Sequence, residues 1–286
     1  EKTETDVPVE PEIQEPSVPE DLPDSIPSDS QGAVKEAAKG IEVPELEAAA
    51  ATEANSITKD QAAAIKAESS LKDDENAKVE VQAYLKIEPQ GYDVGQTYTL
   101  DITPVYDLVV TSNTAGAQND VIKKEQPLSI HGKTTVSIPL PEGFVNEAQD
   151  VYVQHKGYEY EAQVKAAGEQ PSTTYIATFT NPHGFSVFTV TTESAAVAEV
   201  NGNRYTSFQD AVDAAGDKAT VEVLKNENLT ATMSGSSRTI TVKNGTGESI
   251  TVTINGTTKT IEKNASEDFT YTHSSSSGTT RYSVEV

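Results

Sequence analysis

The chain has 286 residues, 35% of them hydrophobic and 23% charged, with 45 acidic against 21 basic side chains and a formal net charge of −24. Such an acid excess repels phosphate backbones and anionic membrane surfaces, so nucleic acid and direct membrane insertion are excluded as partners. The absence of cysteine removes disulfides, thiolate nucleophiles and Cys-ligated metal.

The length suggests two globular units with some additional chain. No run of about 18 apolar residues exists to span a bilayer. The sequence opens on Glu1 and its one methionine is Met233, which reads as a processed or excised chain whose export signal lies elsewhere.

Residues 1–32 carry Pro8, Pro11, Pro16, Pro19, Pro23 and Pro27 among acids, with few apolar residues (Val7, Val9, Ile13, Val18, Leu22, Ile26). Proline at this density opposes helix and sheet ladders, and the charge extends the chain, so a disordered, solvated stalk is expected. Residues 33–75 are rich in Ala, Glu and Lys and predict one or two weak helices, the last capped by Ser56 or Thr58 and running to about Lys72.

From Ala77 the period becomes two. Val79, Val81, Ala83, Leu85 and Ile87 fall on one face, followed by Tyr98, Leu100 and Ile102, then Val105, Leu108 and Val110. Further short strands are expected in "QPLSIHG", "TTVSIPLPEGF", "DVYVQHKGYEYEAQV" (two strands and a Lys-Gly turn), "TTYIATFTN" and "FSVFTVTT". This spacing predicts an antiparallel β-sandwich over residues 76–193.

Residues 194–286 predict a smaller β-rich, solenoid-like domain with one helix at about 207–215. Ser207 is its N-cap, Asp210 stands at N3, and Gly216 is expected to end it in a left-handed conformation. The strands flanking this helix are expected to be parallel. The later strands are thin and Thr-rich; Asn244-Gly245 and Asn255-Gly256 permit hairpins, while the regular spacing equally fits solenoid rungs. The fold class read from the sequence is therefore mainly β.

Candidate chemistry is sparse. His155 and His183, on separate strands, are the one pair that suggests a metal, but turn-capping is the stronger reading and no HExxH spacing is present. Asp73, Asp74 and Glu75 lack the alternating spacing of a calcium loop. Lys86 beside Glu88 is a conceivable start for a Lys–Asn isopeptide cross-link. No G-x-S-x-G, phosphate-cradling loop or placed carboxylate pair appears, so no catalytic residue, cofactor or metal is assigned and a non-enzymatic role is expected. With no Trp in the chain, Tyr84, Tyr92, Tyr158 and Tyr160 are the ring faces on which a sugar would stack.

Two stretches carry a resemblance. "VSIPLPEGF", "VYVQHKGYEYEAQV" and "ATFTNPHGFSVFTV" in series, and "AEVNGNRYTSFQDAVDAAGDKATVEVLKN" after them, resemble modules of the large secreted and wall-attached, adhesin-like proteins of Gram-positive anaerobes. The likeness covers roughly residues 77–192 and 197–226. It implies an extracellular, multi-domain surface protein whose second module opens a β-helix-type stretch, contacting host or extracellular protein or glycan. A monomer is expected. The alternative is a carbohydrate-binding module or an accessory domain of a polysaccharide-degrading enzyme.

Overall fold

The structure is a computed structural model that describes residues 7–168 and 173–274. The mainly-β class is what it shows. The chain divides into two compact units, Glu1–Lys156 with Tyr160–Ser194, and Gly157–Glu159 with Ala195–Val286.

In the first unit, residues 7–30 are not a solvated stalk. Strand β1 (Val9–Ile13) pairs in parallel with β2 (Lys78–Asp93), from Val9↔Val79 to Ile13↔Ala83. Pro8 O accepts from Val79 N and Gln14 N donates to Ala83 O, so even-numbered residues face β2. Pro11, which has no N–H to offer, therefore falls on the side away from the ladder, where a strand tolerates proline. Ser17 continues the pairing by donating to Leu85 O and accepting from Ile87 N, and Ile26 is buried in the core. The sparse apolar residues of this segment each find a seat on a sheet already formed by others, which is how its composition misleads. Residues 1–6 of the expected stalk lie outside the described residues.

Three helices follow: α1 (Gln31–Lys39), α2 (Glu45–Ser56) and α3 (Lys59–Glu68). Thr58 caps α3 in a reciprocal box with Gln61, whereas Ser56 closes α2. Their buried faces are mostly alanine (Ala37, Ala38, Ala49, Ala50, Ala54, Ala62) with Val34, Leu46 and Ile65, which permits close approach to the sheet.

The period-two pattern becomes a long hairpin of β2 with β3 (Thr97–Thr111), in register from Lys78↔Thr111 to Asp93↔Thr97 with one shift at Pro89/Gly91. Its buried face serves two clusters. Val79, Val81, Leu108 and Val110 pack with Ala54, Ala62 and Ile65, while Ala83, Leu85, Ile87, Tyr98, Leu100 and Ile102 join the main core. Two strands share the far edge of β3: β4 (Asp120–Pro127) pairs with its later half and, further on in the chain, β9 (Val187–Thr191) with its earlier half. Between them lie β5 (Thr134–Pro139), β6 (Val151–His155), β7 (Tyr158–Ala167) and β8 (Thr174–Asn181). β6 pairs with β9 and leads into β7 through Lys156 and Gly157, both at positive φ (50° and 81°). The later half of β7 joins β8, and β8 joins β5, in a second set of strands. Val136, Ile138, Ala177 and Phe179 of that set meet Val151, Val153, Phe188 and Val190 in the main core.

In the second unit, β10 (Ala198–Val200) and β11 (Asn203–Tyr205) form a hairpin through Asn201 (φ 52°) and Gly202 (φ 78°), the positive pair that a two-residue I′ turn needs. Ser207 caps α4 (Phe208–Ala214) by accepting from Asp210 N at 3.3 Å. The helix ends with Ala215 in an extended conformation (φ −72°, ψ 114°), and Gly216 is not left-handed. β12 (Thr220–Val223) pairs with β10 in antiparallel fashion, correcting the expected parallel pair. The reason is the hairpin: it places β10 between β11 and β12, so the two strands that do run alike are not neighbours.

From β12 the chain coils. β13 (Thr230–Ala231), β14 (Arg238–Asn244) and β15 (Ile250–Ile254) alternate between two sheets, and each meets its predecessor in parallel: β12 with β14 (Val221↔Val242) and β13 with β15 (Thr230↔Thr253). β16 (Thr257–Ile261) and β17 (Ser266–Tyr271) then turn back antiparallel on β15 and β14. The domain is thus solenoid-like for two coils and hairpin-built after them. Asn255 (φ 49°) and Gly256 (φ 78°) make the expected hairpin, but Asn244-Gly245 does not. Asn244 is fully buried, donates to Glu248 O (2.7 Å) and Ile261 O (2.9 Å), and accepts from Thr246 N (2.9 Å). It turns the chain from one sheet to the other. A Cβ at Gly245 would lie 2.9 Å from Val223 O, so the close approach of backbones excludes a side chain there. Residues 275–286 of the expected β-rich domain lie outside the described residues.

Candidate functional site

The four tyrosines do not assemble a sugar platform. Tyr84 is 7% exposed and donates to Asp107 Oδ1 at 3.2 Å; burial, helped by the charges of Asp107 and Glu125, pushes its phenol up to about 12. Tyr92 is 3% exposed, donates to Glu142 O, and packs edge-on against Tyr98 and flat against Phe144. Tyr160 stacks on Phe179 with centroids 5.5 Å apart and bonds to His183 Nδ1. Tyr158 packs on Tyr205 at 5.0 Å within the second unit. Each ring is spent on a neighbour, the role that tyrosines at a core edge commonly take.

The two histidines belong to one polar corner of the first unit. His155 is buried at the end of β6, its ring parallel to Phe188 and its Nδ1 donating to Val187 O at 2.9 Å. Its Nε2 is enclosed with no hydrogen-bond partner. Fully buried Asn181 accepts from His183 N at 3.1 Å and donates to Gly184 O at 2.6 Å, while Lys156 Nζ donates to His183 O at 2.9 Å. Burial holds both imidazoles below their usual pKa, with the charge of Lys156 acting in the same direction. The arrangement fixes the turn before β9. Among the described residues no group of three His, Asp or Glu side chains is placed to hold a metal ion.

Lys86 and Asp74 are likewise occupied. Lys86 Nζ lies 3.0 Å from Glu125 and 3.7 Å from Glu88, in a partly exposed ion-pair group unlike the buried setting an isopeptide requires. Asp74 accepts from Ser112 Oγ (2.7 Å), Asn76 N (2.9 Å) and Thr114 Oγ1 (3.2 Å), closing a loop.

An extended feature emerges instead on the second unit, where alternation sends valine and isoleucine inward and threonine outward. Across β13, β15 and β16, Thr230, Thr253 and Thr258 stand side by side, with Thr251 and Thr260 forming the next row. Thr253 and Thr258 hydroxyls are 2.9 Å apart. On the other sheet Thr239 meets Thr270 at 2.9 Å, and Thr241 donates to Asp268 at 2.7 Å with Thr220 beside it. Strand geometry spaces such positions about 4.8 Å across strands and roughly 6.7 Å along them. The result is two surfaces on which threonine side chains stand in register across neighbouring strands. The sequence signal was the T-x-T spacing (Thr239/Thr241, Thr251/Thr253, Thr258/Thr260), which composition alone reduces to Thr-rich thin strands.

The groove lined by Glu36 of α1, Pro139, Glu142, Thr174 and Tyr175 has a volume of about 630 Å³ and contains part of the "IPLPEG" stretch. Among the described residues its lining holds two carboxylates, Glu36 and Glu142, and no histidine or lysine. No protein-family model, no curated protein and no solved structure matches the chain.

Proposed function

We propose that the chain is a non-enzymatic structural and adhesive module, secreted or attached to a cell wall, that contacts an extracellular protein or glycan. The observation that carries this reading is the threonine surface of β13, β15 and β16. Rows of short side chains lose little rotamer freedom on contact and offer both donors and acceptors, so they suit a broad, repetitive partner rather than a small molecule in a pocket. The acidic charge of −24 favours solubility in this setting.

The rival reading, a carbohydrate-binding module or an accessory domain, draws on the same hydroxyl rows, whose regular spacing suits a polymer of sugars. A glycan array, an activity screen on polysaccharides and a binding assay with extracellular-matrix proteins separate the two. Saturable glycan binding or turnover selects the rival; binding to protein alone selects adhesion. In either case Thr251→Lys with Thr258→Lys is expected to abolish binding while circular dichroism stays unchanged. Retained binding by that variant removes the threonine surface from the account.

A further inference from the structure

The attachment of β1 to the first unit differs from that of the other strands. Among the described residues it is the first strand and pairs with β2 alone, at the end of the sheet. Of its five residues only Val9 is partly buried, and Ile13 is 44% exposed. The helix α2 lies over it, yet open clefts flank both of its ends. One of about 420 Å³ is lined by Val7, Pro8, Val9, Ala54 and Ile57, and one of about 310 Å³ by Ile13, Gln14, Pro16, Val43, Leu46 and Leu85. Little apolar surface therefore holds the strand, and the main-chain ladder supplies most of its affinity.

The side chains along the seam are also poorly matched. Glu10 and Glu12 of β1 face Glu80 of β2, which is 7% exposed. A single lysine serves the group: Lys78 Nζ is 2.5 Å from Glu10 and 2.8 Å from Glu80. Gln82 Nε2 is shared between Glu12 (2.9 Å) and Glu80 (2.7 Å), and Thr111 of β3 donates to Glu80 at 2.9 Å.

We propose that β1 is an exchangeable strand, which leaves its own β2 and docks in the same parallel register on β2 of a second copy of this chain. The seat that β1 vacates is a template of unpaired N–H and C=O groups on a strand whose side chains are otherwise packed, and such an edge recruits a strand. The segment that fits it best is an identical β1. Gln14 and Ser17 stay on the ladder with β1, so residues 18–25, before the buried Ile26, form the connection and reach roughly 27 Å when extended. The exchange conserves the pairing of residues 8–17 and releases the packing of Val18 and Leu22 on the core, so its balance is set by that cost and by chain concentration against the effective concentration of the tethered arm, on the order of millimolar for a short flexible connection.

Because the native chain has no cysteine, the exchange is read directly by disulfide trapping. Full-length chains carrying Glu12→Cys are mixed with full-length chains carrying Gln82→Cys, two positions that are register partners. After incubation at concentrations from micromolar to millimolar, oxidation is expected to give a mixed dimer that rises at least tenfold over that range and exceeds both homodimers. The double variant, oxidised while dilute, closes the bond within one chain and is expected to lose all exchange, which also verifies that both substitutions fold. An absence of mixed dimer at every concentration, with the double variant closing normally, overturns the proposal.

Discussion

The imidazole of His155 lies flat on the ring of Phe188, with centroids 4.1 Å apart and planes 8° from parallel. One face of the histidine is thus sealed, Nδ1 is committed to Val187 O, and Nε2 is enclosed. Burial, with the nearby Lys156 charge, lowers the pKa below its ordinary 6.5, and the backbone groups of Val187, His183 and Gly184 offset only part of this. A depressed histidine pKa means that the unfolded chain binds the proton first. Stability from this group is complete above about pH 6.5 and declines as pH falls from there toward the lowered folded value.

Thermal unfolding followed between pH 8 and pH 5 is therefore expected to show a falling midpoint below about pH 6.5. His155→Phe keeps the stacking area and removes the titration, so its decline is shallower; His183 accounts for the remainder. An equal slope in both proteins contradicts this assignment.

The carboxyl group of Glu12 titrates in the opposite sense from that of Glu80. Its hydrogen bond to Glu80, with burial and the Glu80 charge, raises the Glu12 pKa. Burial raises Glu80 as well, but bonds from Lys78, Gln82, Glu12 and Thr111 outweigh it and leave that group lowered. The Glu12 contribution to β1 docking is present below its ordinary 4.5 and is lost as pH rises through the raised value. Glu80→Gln replaces the opposing charge with an amide that can donate to Glu12. Carboxyl titration by NMR is expected to show Glu12 returning toward its ordinary pKa, and hydrogen exchange at residues 8–14 is expected to slow near neutral pH. A Glu12 value unmoved by the substitution counts against the pairing.

Asn244 satisfies several backbone groups at the corner between the sheets of the second unit. Asn244→Ala leaves Glu248 O, Ile261 O and Thr246 N without their side-chain partners in a buried place. A loss of about 3 kcal/mol is expected in denaturant unfolding of the second unit. An effect below about 0.5 kcal/mol, the scale of a neutral surface change, shows that water replaces the amide there.

Thr58 and Gln61 cap α3 reciprocally, Gln61 Oε1 accepting from Thr58 N at 2.8 Å and Thr58 Oγ1 accepting from Gln61 N at 3.3 Å. Thr58→Ala is expected to cost about 1 kcal/mol. Faster amide exchange over Lys59–Glu68 is the local signature to measure.

The strand elements were legible because alternation is a local signal: Val79 through Ile87 read as one face and all five are buried. The capping residues Ser207 and Thr58 were legible for the same reason, since each bond spans three residues. What escaped was set by distant partners. The segment around Val9 has no β signature of its own and acquires one from β2, and Asn244-Gly245 reads like Asn255-Gly256 until Ile261 and Val223 come near it. The tyrosines were chosen for their ring faces, but only packing reveals that Phe144, Tyr205 and Phe179 lie against Tyr92, Tyr158 and Tyr160 and that Tyr84 is buried.

The outward-facing nitrogen of Pro11 has a consequence for assembly. A newcomer laid against the outer side of β1 meets an interruption where the ladder asks for a donor, so lateral accretion of sheets stalls at the first addition. Copies that trade arms can accordingly form discrete linked species, while runaway fibre growth along this border is blocked by one imino acid.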